Sequence, residues 1–169
     1  MARNHNLACS NSSPILFGDR LPREALIAKT SPVVAILDED ADDRLLLLEA
    51  FDQCRQDVEL HSFEKGESLL DYLNQSKGGH GKNGGAADLV ILGVDLPWES
   101  TFEIIAAIKS NPGLRQIPII VLIGLVPDAL IKRFYDLGAN TVIVRPVPWD
   151  ELINVVKKTC DYWFGPVKM

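Results

Sequence analysis

The sequence predicts an α/β fold, a flavodoxin-like doubly wound sheet of five parallel strands in the order 2-1-3-4-5. Three observations carry that expectation. Five short strand-like runs recur along the chain, each followed by a helix or by a loop that leads to one, the pattern of right-handed β-α-β crossovers. The central run, Leu89 to Leu92, is unbroken in its apolar character, as a strand covered on both faces should be. Charged residues follow directly on several of the runs, where an open parallel sheet presents the crevice used for ligands and chemistry.

Composition agrees with one ordinary domain and something left over. At 169 residues, 47% hydrophobic and 24% charged, the chain can build a single packed core. A net charge of −6 and a pI near 5.0 argue against a sequence-independent nucleic-acid binder, which needs clustered Lys and Arg. Cys9, Cys54 and Cys160 are odd in number and lack metal-ligand spacing, so neither a disulfide framework nor a zinc site is indicated. No apolar run reaches the roughly 18 residues of a membrane span. A cytoplasmic protein without nucleic-acid or membrane partners is expected.

Residues 1–31 are rich in Asn, Ser and Arg and are interrupted by Pro14 and Pro22; they read as a mobile tail with one short helix at Pro22 to Lys29. The first strand, Val33 to Leu37, runs into five acids in six residues, Asp38-Glu39-Asp40-Ala41-Asp42-Asp43. Asp40 or Asp42 can cap the following helix, which Leu45 to Phe51 continues with a broad apolar surface. Val58 to Phe63 alternates as a second strand, and Gly66 to Asn74 is a helix with Leu69, Leu70 and Leu73 on one side. The glycine-rich stretch Lys77 to Gly85 precedes a strand instead of joining a strand to a helix, so a flexible loop is expected, not a phosphate cradle.

The third strand is read as stopping at Gly93, a residue without a side chain where a reactive group belongs. Phe102 to Ser110 follows as a helix burying Phe102, Ile105, Ala106 and Ile108, ended by Asn111-Pro112-Gly113. Ile119 to Ile123 is the fourth strand, Asp128 to Leu137 a helix closed by Gly138, and Thr141 to Val144 the fifth strand. Trp149 to Phe164 is the last helix, with Leu152, Val155, Val156 and Trp163 near helical spacing.

From Val33 to Phe164 these residues resemble the receiver domain of bacterial response regulators, the phosphorelay modules of two-component systems. The matching pieces are Ile36 to Asp43, Asp88-Leu-Val-Ile-Leu-Gly-Val-Asp-Leu-Pro97, Ile108 to Leu122 and Leu137-Gly-Ala-Asn-Thr-Val-Ile-Val-Arg-Pro146. Ile108 to Leu122 and the ending Asp161-Tyr-Trp-Phe164 look most like stand-alone receivers associated with phytochromes. The domain organisation this implies is a tail at 1–31, a receiver at 32–165 and a short tail at 166–169.

In that family an Asp closing strand 3 takes a phosphoryl group from a kinase phosphohistidine, Mg²⁺ neutralises it, and a Thr or Ser and a Lys read it. Matched position by position, the acidic pair is Asp38 and Glu39, but the acceptor position is Gly93. The hydroxyl position is Ile123, the lysine position Arg145, the aromatic switch position Val142, and the glycine after the phosphorylated loop Thr101. The resemblance therefore implies an atypical pseudo-receiver: no enzyme, no catalytic residue, and a degenerate switch. Asp95, two residues past Gly93, is either a displaced acceptor or a turn-capping loop residue.

A site short of one carboxylate implies no cofactor, or weak Mg²⁺ on Asp38 and Glu39. Arg145 is expected to fold toward Asp38 or Glu39 in place of the ion, and Ile123 to fill space vacated at Gly93. The implied partner is a protein, a sensor histidine kinase or a phytochrome, or a second copy bound through helix 4, strand 5 and helix 5. Candidate contact residues are Asp128, Arg133, Tyr135, Trp149 and Trp163. With no output domain expected beyond Met169, action would be by contact.

Overall fold

The computed structural model describes residues 31–75 and 86–165. Residues 1–30 of the tail expected at 1–31, with its short helix, the glycine-rich stretch and 166–169 fall outside the described residues. The elements alternate as β1 (Val33–Leu37), α1 (Ala41–Cys54), β2 (Glu59–Phe63), α2 (Gly66–Gln75), β3 (Leu89–Val94), α3 (Glu99–Ser110), β4 (Ile119–Ile123), α4 (Asp128–Leu137), β5 (Thr141–Val144) and α5 (Trp149–Phe164).

The five strands form one parallel sheet in the order β2-β1-β3-β4-β5, the flavodoxin-like order expected from the sequence. Strand alternation divides the core. Val33, Ala35 and Leu37 join Leu69 and Leu73 of α2, Ile105 and Ile108 of α3 and Phe134 of α4 on one face. Val34 and Ile36 join Leu47 and Phe51 of α1 and Leu152 and Val156 of α5 on the other. With each such side chain contributing roughly 1.5–3 kcal/mol on burial, two covered faces hold the sheet's carboxyl edge rigid for the groups mounted on it.

Several boundaries shift for identifiable reasons. β3 does not stop at Gly93, because Gly93 and Val94 keep their register with Leu122 and Ile123 of β4; a glycine backbone pairs like any other. The third helix begins at Glu99, with Thr101 buried, and its inward stripe is Ile104, Ile105 and Ile108, leaving Ala106 exposed. On α1 the apolar surface is narrower than expected: Leu47, Ala50 and Phe51 are buried, while Leu45 and Leu46 face solvent. On α5 the buried positions are Leu152, Val156 and Cys160, with Val155 and Trp163 half-buried.

Local chemistry explains the ends. Asp40, not Asp42, caps α1, its Oδ1 accepting from the amides of Asp42 at 2.9 Å and Asp43 at 3.0 Å. Gly138 closes α4 in the left-handed conformation, φ 110°, where a side chain would be strained. Buried Arg55 ties the ends of α1 and α5 together: its Nε donates to Asp57 Oδ1 at 2.8 Å and its Nη1 to the Gly165 carbonyl at 2.6 Å.

Candidate functional site

The site is built where β1, β3 and β5 end. Asp38 follows β1 directly, and its amide donates to the Phe63 carbonyl at 3.1 Å, so the chain leaves the strand in a fixed direction. The cap at Asp40 then sets the first turn of α1, which carries Asp43 back toward the end of β1. Across the sheet, the Arg145 amide donates to the Ile123 carbonyl at 2.8 Å, extending the β4–β5 ladder by one residue before Pro146.

From that position the Arg145 side chain bridges two acids. Its Nη2 donates to Asp38 Oδ2 at 2.7 Å, and its Nη1 donates to Asp43 Oδ2. Of the two partners expected, Asp38 is the one met; Glu39 is exposed, and the second acid is Asp43, which the turn of α1 brings inward. Asp38 is fully buried, and its other oxygen, Oδ1, accepts from the Asp40 amide at 3.0 Å. Burial pushes the Asp38 carboxyl above its ordinary range, and the Arg145 guanidinium pulls it part of the way back. The Asp43 and Asp42 amides hold the Asp40 carboxyl below its ordinary range.

Gly93 lies under this bridge. A Cβ there would stand 2.0 Å from Asp38 Oδ2, 2.5 Å from Asp38 Cγ and 2.6 Å from Arg145 Nη2. The space of a side chain at Gly93 is thus taken by the ion pair, and the expected filling by Ile123 is corrected. Ile123 is buried in the core cluster on the α2–α4 face, paired in register with Val94. The cleft left over, between Glu39, Gly93, Asp95, Ser100 and Thr101, measures about 20 Å³, room for about one water.

Carboxylate oxygens of Asp38, Asp43 and Asp95 lie within 4.8 Å of one another, a hard-oxygen grouping suited in donor type to Mg²⁺. This corrects the expected ligand pair, since Glu39 is outside the group. The group as it stands does not fit a divalent ion, because Arg145 already holds two of its three carboxylates. A second guanidinium is close by: Arg44 Nη1 donates to the Asp38 carbonyl at 2.5 Å.

Sequence comparison agrees with this architecture, and residues 34–157 match the response regulator receiver domain. The chain belongs to that family. It is 27% identical over 139 residues to the response regulator Rcp1 of Synechocystis, covering 82% of this chain and 93% of Rcp1. It is 25% identical over 142 residues to the probable methanogenesis regulatory protein FilR2 of Methanothrix harundinacea, covering 84% and 90%. Among solved structures, that of the phosphorylated cyanobacterial phytochrome response regulator RcpA superposes with a TM-score of 0.67 at 26% identity, covering 81% of this chain and 96% of that one.

The remaining sequence-derived positions of this receiver are dispersed. Val142, on β5, is half-buried on the α2–α4 side, and its amide donates to the Tyr135 hydroxyl at 3.1 Å. Tyr135 itself is largely exposed, Asp128 lies in the exposed first turn of α4, and Arg133 lays its guanidinium 4.5 Å from the Phe102 ring centre. Trp163 is half-buried against the α1–α5 core and meets Tyr162 edge-on at 4.9 Å. Trp149 borders a groove of about 450 Å³ between α1 and α5 that also touches Leu46, Asp43, Arg145 and Val147. Asp43 is the functional residue that sequence reasoning missed; its signal was its place three residues after the cap Asp40, on the turn that faces back to β1.

No helix among the described residues is long and apolar enough to cross a membrane.

Proposed function

We propose that this receiver is a pseudo-receiver, a cytoplasmic signalling module that works by protein contact without accepting a phosphoryl group. The observation that supports it is Gly93 itself: the acceptor position has no side chain, and the Asp38–Arg145 pair occupies the volume one would need. Ile123 adds to this reading, since an isoleucine cannot donate a hydrogen bond to a phosphoryl oxygen. A small-ligand sensor built on an emptied pocket is disfavoured by a cleft of only about 20 Å³.

The partner is a protein of the same signalling system, a sensor histidine kinase or phytochrome, or a second copy of the chain. The likeness to RcpA, named a phytochrome response regulator, favours the phytochrome class. Contact would use the face of α4, β5 and α5, where Tyr135, Arg133, Asp128 and Trp149 are exposed. Aromatic and arginine anchors of this kind dominate protein interfaces.

The alternative acceptor is Asp95, exposed and beside Asp38 and Asp43. Incubation with acetyl phosphate and Mg²⁺, followed by intact-mass measurement, separates the two. The expected result is an unmodified chain. A stoichiometric phosphate adduct lost on Asp95→Asn would establish the displaced acceptor instead. A parallel pull-down with Tyr135→Ala and Trp149→Ala chains should show reduced partner capture at unchanged fold.

A further inference from the structure

The acidic pocket of a receiver without an acceptor raises a question that the proposed function leaves open: what neutralises its carboxylates. Three of them, on Asp38, Asp43 and Asp95, have oxygens within 4.8 Å of one another. Like charges so close in a partly buried site repel strongly unless a cation is present. We infer that Arg145 is the resident cation of this pocket, a built-in guanidinium that takes the place of a divalent ion and makes the site independent of metal.

Four observations converge on this. The guanidinium donates to Asp38 and to Asp43 at once, one nitrogen to each, so it serves two of the three carboxylates. Both oxygens of the buried Asp38 are committed, one to Arg145 and one to the Asp40 amide. Gly93 leaves the room: any Cβ there would collide with the pair at 2.0–2.6 Å, so this placement of the pair requires a glycine at 93. Arg44, donating to the Asp38 carbonyl, adds a second positive charge at the same edge, unfavourable to an entering cation. A divalent ion taking the Asp38 oxygen that Arg145 holds would displace a charge-assisted bond and leave the guanidinium, four-fifths covered, with Asp43 as its remaining acid.

A lysine at this position would be a compact, strongly hydrated point charge whose three donors radiate from a single nitrogen. The planar fork of arginine is suited to spanning two separate carboxylates. The arrangement also joins the start of α1 to the loop that opens α5, so the receiver keeps one arrangement of these elements whatever the cation concentration.

The inference concerns the same pocket as the proposed function but is read out by cation occupancy, so either can fail alone. The experiment titrates Mn²⁺ into the full chain and follows the free-ion electron paramagnetic resonance signal, with circular dichroism confirming the fold. The wild type should show no saturable binding below about millimolar Mn²⁺, the weak end of protein sites for hard divalent ions. Arg145→Ala should bind at least about a hundredfold more tightly, as expected when a competing buried charge partner is removed, and adding Asp43→Asn or Asp95→Asn should abolish that gain. Should Arg145→Ala not fold, Arg145→Gln, which keeps the stem and loses the charge, takes its place. Saturable submillimolar binding by the wild type, or no gain in a folded charge-removed variant, would overturn the inference. A chain that accepts phosphate yet binds no Mn²⁺ would refute the proposed function and leave this inference standing.

Discussion

Placing a methyl group on Gly93 is the most informative single perturbation of this receiver. In Gly93→Ala the new Cβ meets Asp38 Oδ2 at 2.0 Å and Arg145 Nη2 at 2.6 Å, distances no contact tolerates, so the pair must open. Both obstacles are side-chain ends, and the backbone of β3 can stay in register. The cost is then the loss of the ion pair, not strain in the sheet. A charge-assisted bond contributes about 1.5–3 kcal/mol, and a buried carboxylate left without its partner costs up to about 3–5 kcal/mol. Replacing Gly by Ala returns about 0.4–1 kcal/mol by restricting the unfolded chain. The net expectation is a loss of about 2–3 kcal/mol, read as a shift in the urea midpoint at unchanged slope. Because part of the cost comes from the pair, it should be smaller in an Arg145→Ala background, where only Asp38 has to move aside, a coupling that a double-mutant cycle measures. If Gly93→Ala unfolds within about 0.5 kcal/mol of wild type, or costs the same with and without Arg145, the reasoning about the occupied site is wrong. Gly93→Asp meets the same obstruction and should not by itself restore a phosphorylation-dependent conformational change.

Two further predictions concern titration and the α1–α5 clasp. The Asp38 carboxyl should titrate above 3.8 by carbon-detected NMR, and higher still in Arg145→Ala, since burial raises it and the guanidinium lowers it. The folded value exceeds the unfolded one, so the native state binds the extra proton: this group's share of stability increases as pH falls from the folded value toward 3.8; a midpoint at or below 3.8 contradicts this. Arg55→Ala should lower stability by about 2–3 kcal/mol in urea, because it strands the Gly165 carbonyl and breaks the fork to Asp57. Arg55→Lys should recover less than half of that, lacking two donors in one plane.

Much of this architecture was legible in the residues because period and punctuation agree along the chain. β4, α4, β5 and α5 fall at the expected residues: β4 and β5 are short runs rich in β-branched residues, Gly138 closes α4 and Pro148 precedes α5. The run at 89–94 was misread at its end because a glycine is silent in propensity; only the register with Leu122 and Ile123 carries the strand onward. The exposure of Leu45 and Leu46 was hidden for a different reason. A helix with four consecutive leucines has no unique inward face until the sheet beneath it fixes one. Within the site, Gly93 and Arg145 could be singled out in the sequence, and the structure brings them together. Asp43 offered only its spacing from the cap Asp40 as a hint, because its meeting with Arg145 depends on the angle at which α1 leaves that cap, a tertiary quantity.

The Arg145 bridge also has a kinetic side. It joins residues 107 and 102 apart in the chain, from the last strand back to the first helix and the loop before it. Closing so long a segment costs entropy that other contacts must offset, which disfavours forming this bridge early. It is therefore expected on the late, native side of the folding barrier, which a φ-value near zero for Arg145→Ala would show. Interactions absent from the transition state leave the folding rate almost untouched and slow unfolding in proportion to their strength. The clasp over Gly93 is, in this sense, a latch on the lifetime of the folded receiver.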